Sequence, residues 1–152
     1  MYWVYNNENI NNISQFSENT YGFVYRITHK PTNKSYIGKK VLYYERNKKL
    51  GKKELEILKE ERKGTPGRLP TKKKVITESN WKVYWGSNKE LIELSKNEPY
   101  EDFEREILQV CNSKKLLTYY ETKYLFMLQV LEFPDNYFND NILGKFYTKD
   151  LE

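Results

Sequence analysis

Tyr25 and Tyr36 have ten residues between them, and each lies in a segment with strand-like alternation. A phenol can donate or accept a proton while its aromatic body sits in a core. Side chains opposite one another on adjacent antiparallel strands lie about 5 Å apart, so two phenols placed there can reach one phosphate and its attacking water. Hydrolysing a phosphodiester needs a base for the water, positive charge on the phosphoryl oxygens and help for the leaving oxygen. A phenol with its ordinary pKa near 10 is a weak base at neutral pH. Lys39 and Lys40 follow Tyr36 closely, and together with a divalent cation they would lower that pKa. Alternation puts Lys40 on the face of Tyr36, which favours it over Lys39. Against this stands a plainer reading, in which strand-favouring tyrosines fill the core of a Tyr-rich chain.

Glu121 is the acidic residue placed to hold a cation. It falls at the edge of an apolar helical stripe, one turn after Leu117 and one turn before Tyr124 and Leu125. A half-desolvated carboxylate there calls for a partner or for an ion with oxygen ligands, Mg²⁺ or else Mn²⁺. A surface ion pair with Lys114 or Lys123 is the alternative. The chain has one histidine, His29, and one cysteine, Cys111. That excludes an internal disulfide, a CxxC zinc site and any chemistry built on histidine pairs.

The elements that must position these residues are legible in outline. Residues 21–28 and 35–42 alternate, and Lys30-Pro31-Thr32-Asn33-Lys34 is a turn between them, which predicts a β-hairpin. Tyr21, Phe23, Tyr25 and Ile27 share one expected face. Ser87-Asn88-Lys89-Glu90 reads as a capping box with Ser87 at the cap, ahead of a helix over about 88–97. A third strand is expected over 103–110, and Ser113 then caps a long helix to about Leu131. Residues 1–20 read as an N-terminal arm or an appended edge segment and 21–152 as one domain, with a basic, mobile insertion at about 43–78. The fold class expected is α+β, an α/β sandwich whose small three-stranded antiparallel sheet is flanked by helices.

Gly22-Phe23-Val24-Tyr25 followed by Tyr36-Ile37-Gly38 resembles the paired signature of the GIY-YIG nuclease superfamily, with the first half degenerate and the second intact. Asn80-Trp81-Lys82-Val83-Tyr84-Trp85-Gly86-Ser87 is similar to the W-K-x-Y-x-G-S segment of a phage-encoded, homing-like branch, in which paired lysines also follow YIG. The resemblance spans about residues 21–142. It implies a divalent cation on the helix-borne Glu121 and an Asn that braces the site through hydrogen bonds. Asn139 matches that Asn, with Asn141 close enough to compete. The family's Arg after YIG has no clear counterpart: Arg46 lies where no helix is evident, so Lys82 is the expected substitute. Tyr84, two residues on, is expected to help position phosphate.

The charge distribution points to the partner. The chain carries +5 overall, yet residues 39–74 hold 14 Lys and Arg against 5 Asp and Glu, and the remainder 12 against 16. A basic block on a mildly acidic body suits a polyanion, here double-stranded DNA, with Arg68, Lys72, Lys73 and Lys74 as phosphate contacts. No apolar run approaches a membrane span and no signal peptide is evident, so a reducing cytoplasm is expected, a host cell's if the chain is phage-encoded. An HNH nuclease needs more histidine than His29 in a hairpin turn. Glu121-Thr122-Lys123 mimics a PD-(D/E)xK motif, but on a helix instead of a strand. The expected function is metal-dependent DNA endonuclease, either mobile or homing or else directed at host or rival DNA. The alternative is a catalytically inactive nucleic-acid-binding protein on the same scaffold. Oligomeric state stays open, a homodimer included.

Overall fold

A computed structural model describes all residues, 1–152. The chain divides into two compact units, residues 1–42 with 80–152, and residues 43–79.

In the first unit the strands are β1 (Trp3–Tyr5), β2 (Glu8–Ile10), β3 (Gly22–His29) and β4 (Lys34–Val41). The second unit holds β5 (Tyr43–Lys49), helix α1 (Lys52–Glu61) and β6 (Lys72–Glu78). The chain then returns to the first unit with α2 (Lys89–Asn97), β7 (Phe103–Cys111), α3 (Lys114–Met127) and the short pair β8 (Asn141–Ile142) and β9 (Phe146–Tyr147).

The main sheet runs β2-β1-β7-β3-β4. Its antiparallel β7-β3-β4 part is the three-stranded sheet expected from the sequence, and the β1–β2 hairpin extends it to five strands. Residues 1–10 thus take the second of the two expected forms, a segment appended to the sheet's edge. Asn6 and Asn7 take positive φ of 50° and 66° between the paired residues Tyr5 and Glu8. A two-residue hairpin turn with both φ positive selects asparagine and glycine, which accounts for the Asn-rich stretch.

Both faces of the sheet are covered. On one face Trp3, Phe23, Tyr25, Ile27, Trp81, Leu91 and Ile107 form an aromatic-rich cluster beneath α2 and residues 81–88. On the other, Val24, Ile37, Cys111, Leu117, Leu125 and Val130 pack under α3. Phe23, Tyr25 and Ile27 keep the face their alternation assigns, while Tyr21 precedes the strand and packs with the opposite cluster.

Helix α3 is shorter than its apolar pattern suggests. Gln129 has φ of 53°, and the Val130 N–H donates to the Leu125 carbonyl while the Gln129 N–H donates to that of Phe126. This is a Schellman stop built without glycine, sealed by the buried Leu125 and Val130. The segment after it covers the open edge of β4. Ser35 N–H donates to the Asn136 carbonyl at 2.9 Å, and Phe138 N–H donates to the Ser35 carbonyl at 2.8 Å. An unpaired strand edge is thereby satisfied.

The second unit has regular secondary structure. β5 and β6 pair antiparallel over seven residues each, and α1 lies between them in sequence. None of the residues in these three elements is buried. No helix of the protein is long and apolar enough to cross a membrane.

Candidate active site

Strand register decides how the two tyrosines meet. Tyr25 pairs with Gly38 and Tyr36 with Ile27, so the phenols are diagonal neighbours on one face, with ring centroids 6.2 Å apart. The glycines make room for them. A Cβ at Gly38 would overlap Tyr25 Oη and stand 2.6 Å from Cζ. One at Gly86, where φ is 86°, would stand 3.1 Å from the Tyr36 ring and 3.3 Å from Tyr25 Oη. The glycines of the YIG and G-S segments thus close over the same two phenols.

Tyr36 faces a cleft of about 730 Å³ lined also by Ser87, Glu121, Asn139 and Asp140. Its hydroxyl lies 2.8 Å from Ser87 Oγ. Ser87 is not the helix cap: Asn88 Oδ1 accepts the Leu91 N–H at 3.0 Å instead, and its Nδ2 donates to the Phe138 carbonyl. That leaves the Ser87 hydroxyl to the tyrosine. Tyr25 does not line the cleft. It is 1% exposed and packed against Trp3, Tyr36 and Tyr84.

In the absence of a cation, burial dominates both phenols. Burial pushes Tyr25 well above its ordinary value, with the nearby Tyr36, Tyr84 and Glu121 adding to the rise. Burial also raises Tyr36, opposed by its hydrogen bond with Ser87. Desolvation penalises the charged phenolate and is the largest cause in both.

Glu121 projects from α3 beside Lys39, not Lys114 or Lys123. Lys39 Nζ is 3.9 Å from Glu121 Oε1 and donates to Thr118 Oγ1 at 3.0 Å. Burial raises the Glu121 pKa and Lys39 only partly lowers it, so this carboxylate is short of countercharge. No group of three acidic, histidine or cysteine side chains gathers anywhere in the chain. A lone, charge-deficient carboxylate on an open polar cleft fits a hard cation that keeps several of its waters.

Lys40 is buried on the tyrosine face, as alternation requires. Its Nζ donates to Asn80 Oδ1 at 2.6 Å and stands 4.1 Å from the centroid of the Tyr84 ring. Tyr84 in turn packs edge-on to Tyr25 at 6.0 Å, so it belongs to the phenol cluster. The two lysines therefore divide: Lys39 serves the carboxylate and Lys40 the tyrosines. Lys82 is not brought to the cleft. Its ammonium lies 5.8 Å from the Trp81 ring centroid, and the residue borders a separate hollow with Met1 and Val83. The 3-10 turn at Trp81–Val83 buries Trp81, and Lys82, next in the turn, is left exposed. Arg46, Arg68 and Lys72 to Lys74 all lie in the second unit.

Asn139 is 8% exposed and grips the backbone of Ile37 from both sides. Its Oδ1 accepts the Ile37 N–H at 2.9 Å and its Nδ2 donates to the Ile37 carbonyl at 2.8 Å. Asn141 instead accepts the Gly144 N–H and donates to Asp140. The amide that braces the YIG strand is thus Asn139.

Arg105 went unnoticed in the sequence. It is 1% exposed, stacks between Trp3 and Trp85, and donates to the carbonyls of Met1, Lys82 and Tyr84. Burial lowers its pKa to about 10. No local pattern marks an arginine on a buried strand face; the two indoles that enclose it come from two other segments, at residues 3 and 85.

The family model described as "Putative endonuclease segE, GIY-YIG domain" matches residues 3–142. No curated protein and no solved structure matches significantly. The match begins at Trp3, inside the hairpin that extends the sheet, and ends at Ile142, just past the Asn139 brace. Over that span, the chain belongs to the GIY-YIG nuclease family.

Proposed function

We propose that the protein is a divalent-cation-dependent DNA endonuclease that hydrolyses phosphodiester bonds in the cleft between Tyr36 and Glu121. The observation that carries the reading is the convergence of Tyr36 from a strand, Glu121 from a helix and Asn139 from the C-terminal segment on one polar cleft.

Glu121 would hold the cation, Mg²⁺ or Mn²⁺. When bound, such an ion supplies positive charge to the phosphoryl oxygens and acidifies water. Tyr36 presents its oxygen to the cleft beside Ser87 and, once it has lost its own proton to solvent, the phenolate accepts the proton of the attacking water. Tyr25, fully enclosed, fixes the Tyr36 ring. Lys39 adds positive charge beside Glu121, where charge develops on the phosphoryl group. Lys40 and Tyr84 hold the phenol cluster in place, and Asn139 fixes the strand that carries Tyr36.

The chain's basic residues in the second unit, Arg68 and Lys72 to Lys74 among them, supply affinity for duplex DNA. A phage-encoded mobile or homing role, or one directed against host or rival DNA, is the biological setting this family suggests.

Supercoiled plasmid incubated with the purified protein tests the proposal. Nicked or linear product with Mg²⁺ and none with chelator is the expected result. Binding without cleavage under any divalent cation would assign the inactive, DNA-binding alternative.

A further inference from the structure

The β5–β6 ribbon has a charge arrangement that its own fold does not explain. Its register sets Lys48 opposite Lys73 and Lys49 opposite Lys72, with Asn47 opposite Lys74. Like charges directly across an antiparallel pair are destabilising. A two-stranded ribbon is already marginal in water, and here no residue of the ribbon is buried. Glu54 at the start of α1 engages Lys73 at 2.9 Å, and Glu45 engages Lys74 at 3.3 Å. Lys48, Lys49 and Lys72 take part in no salt bridge.

The two faces of the ribbon differ. Lys73 turns toward α1, and with it, by alternation, go Lys48, Arg46 and Val75. The opposite face carries Lys49, Lys72, Asn47, Lys74, Glu45 and Ile76. Ile76 is 60% exposed, an aliphatic side chain left in water across from Glu45, whose charge is taken up by Lys74.

We propose that this uncovered face of the ribbon enters the major groove of duplex DNA and reads base edges there, with Asn47 and Ile76 as the readers and Lys49, Lys72 and Lys74 on the flanking phosphates. The major groove, about 12 Å wide, admits a two-stranded ribbon. An exposed amide can pair in bidentate fashion with adenine, and an aliphatic side chain can pack on a thymine methyl. The Lys49–Lys72 pair, destabilising in the free ribbon, becomes favourable against a polyanion. The proposal rests on the nuclease reading for its substrate but adds the element that selects sequence.

The test is selection from a random duplex-DNA library by the full-length protein in chelator, so that no cleavage intervenes. The wild type is expected to enrich a short motif. Asn47→Ala and Ile76→Ala are expected to relax one or two positions of that motif while keeping overall affinity within about threefold. The double variant Lys49→Gln with Lys72→Gln should instead weaken binding to all sequences and flatten the log affinity against log salt slope by about 1.8. All four side chains are exposed, and circular dichroism of each variant checks that the fold is kept. No enriched motif, a motif unchanged by Asn47→Ala and Ile76→Ala, or equal affinity for duplex RNA, whose major groove excludes side chains, would each overturn the proposal. Plasmid cleavage by the same wild-type preparation with Mg²⁺ tests the nuclease reading separately.

Discussion

A Cβ at Gly38 would overlap the hydroxyl of Tyr25, its cross-strand partner. The glycine of Tyr36-Ile37-Gly38 is therefore the floor of a slot for the other tyrosine of the motif. Tyr25 cannot retreat, since Trp3, Phe23 and Tyr84 hold its ring on the remaining sides.

Gly38→Ala should accordingly lower stability by about 1–3 kcal/mol, the usual cost of overpacking a filled core. It should also displace Tyr36 and reduce cleavage. Thermal unfolding monitored by circular dichroism checks the first effect; an unchanged melting temperature would mean that the slot can widen.

Tyr36→Phe keeps the ring and should reduce the cleavage rate by about 100-fold or more through lost proton acceptance. Because burial raises the Tyr36 pKa, its phenolate is scarce at neutral pH. The wild-type rate should then climb through neutral and alkaline pH, about tenfold per unit, and the Phe variant should lose that slope. A wild-type rate flat from pH 7 to 9 would show that Tyr36 donates a proton and does not accept one.

Burial also raises the Glu121 pKa, so the fold favours the protonated carboxyl. The stability linked to that preference is complete below the ordinary carboxylate range and is lost as pH rises through the folded value. At pH 7 without divalent cation, Glu121→Gln should therefore melt higher than the wild type, with the difference vanishing toward pH 3. The same variant should cut at least about 100-fold more slowly. A Gln variant that melts lower at pH 7 would show that Lys39 already compensates the carboxylate.

Asn139→Ala strips both hydrogen bonds from the backbone of Ile37, which is buried against the second cluster. Leaving such groups unsatisfied costs about 1–3 kcal/mol. Asn141→Ala, confined to the surface turn at Gly144, should cost well under half as much. Paired urea denaturation curves distinguish the two positions.

Arg105→Lys tests whether the site depends on the N-terminal hairpin. One ammonium cannot reach the carbonyls of Met1, Lys82 and Tyr84 together, nor stack between two indoles. The variant should lose about 1–3 kcal/mol of stability and lower kcat more than it raises KM, because Tyr84 backs the phenol cluster. Unchanged kcat in a folded variant would make Arg105 a packing residue alone.

The sequence by itself determined most local elements and singled out Tyr36, Glu121 and Asn139, though it also put forward Lys82, which lies away from their cleft. Period-two alternation marked the β3–β4 hairpin, Ser113 marked the start of α3, and the apolar stripe set Glu121 at its edge. Each depends on neighbours a few residues away, which a single chain displays. Tertiary structure decided what those residues touch. It decided between an arm and an edge segment for residues 1–10, because Trp3 is buried only once Phe23, Trp81 and Arg105 surround it. Lysine pairs inside the basic insertion became a ribbon only through strand pairing across more than twenty residues. Lys39 and Lys40 look alike in the chain, yet adjacent strand residues face opposite sides of a sheet, so one meets Glu121 on α3 and the other Tyr84. The rise of both phenol pKa values in the cation-free protein has a related cause. Desolvation depends on how completely distant segments close over a side chain, and no spacing along the chain records that.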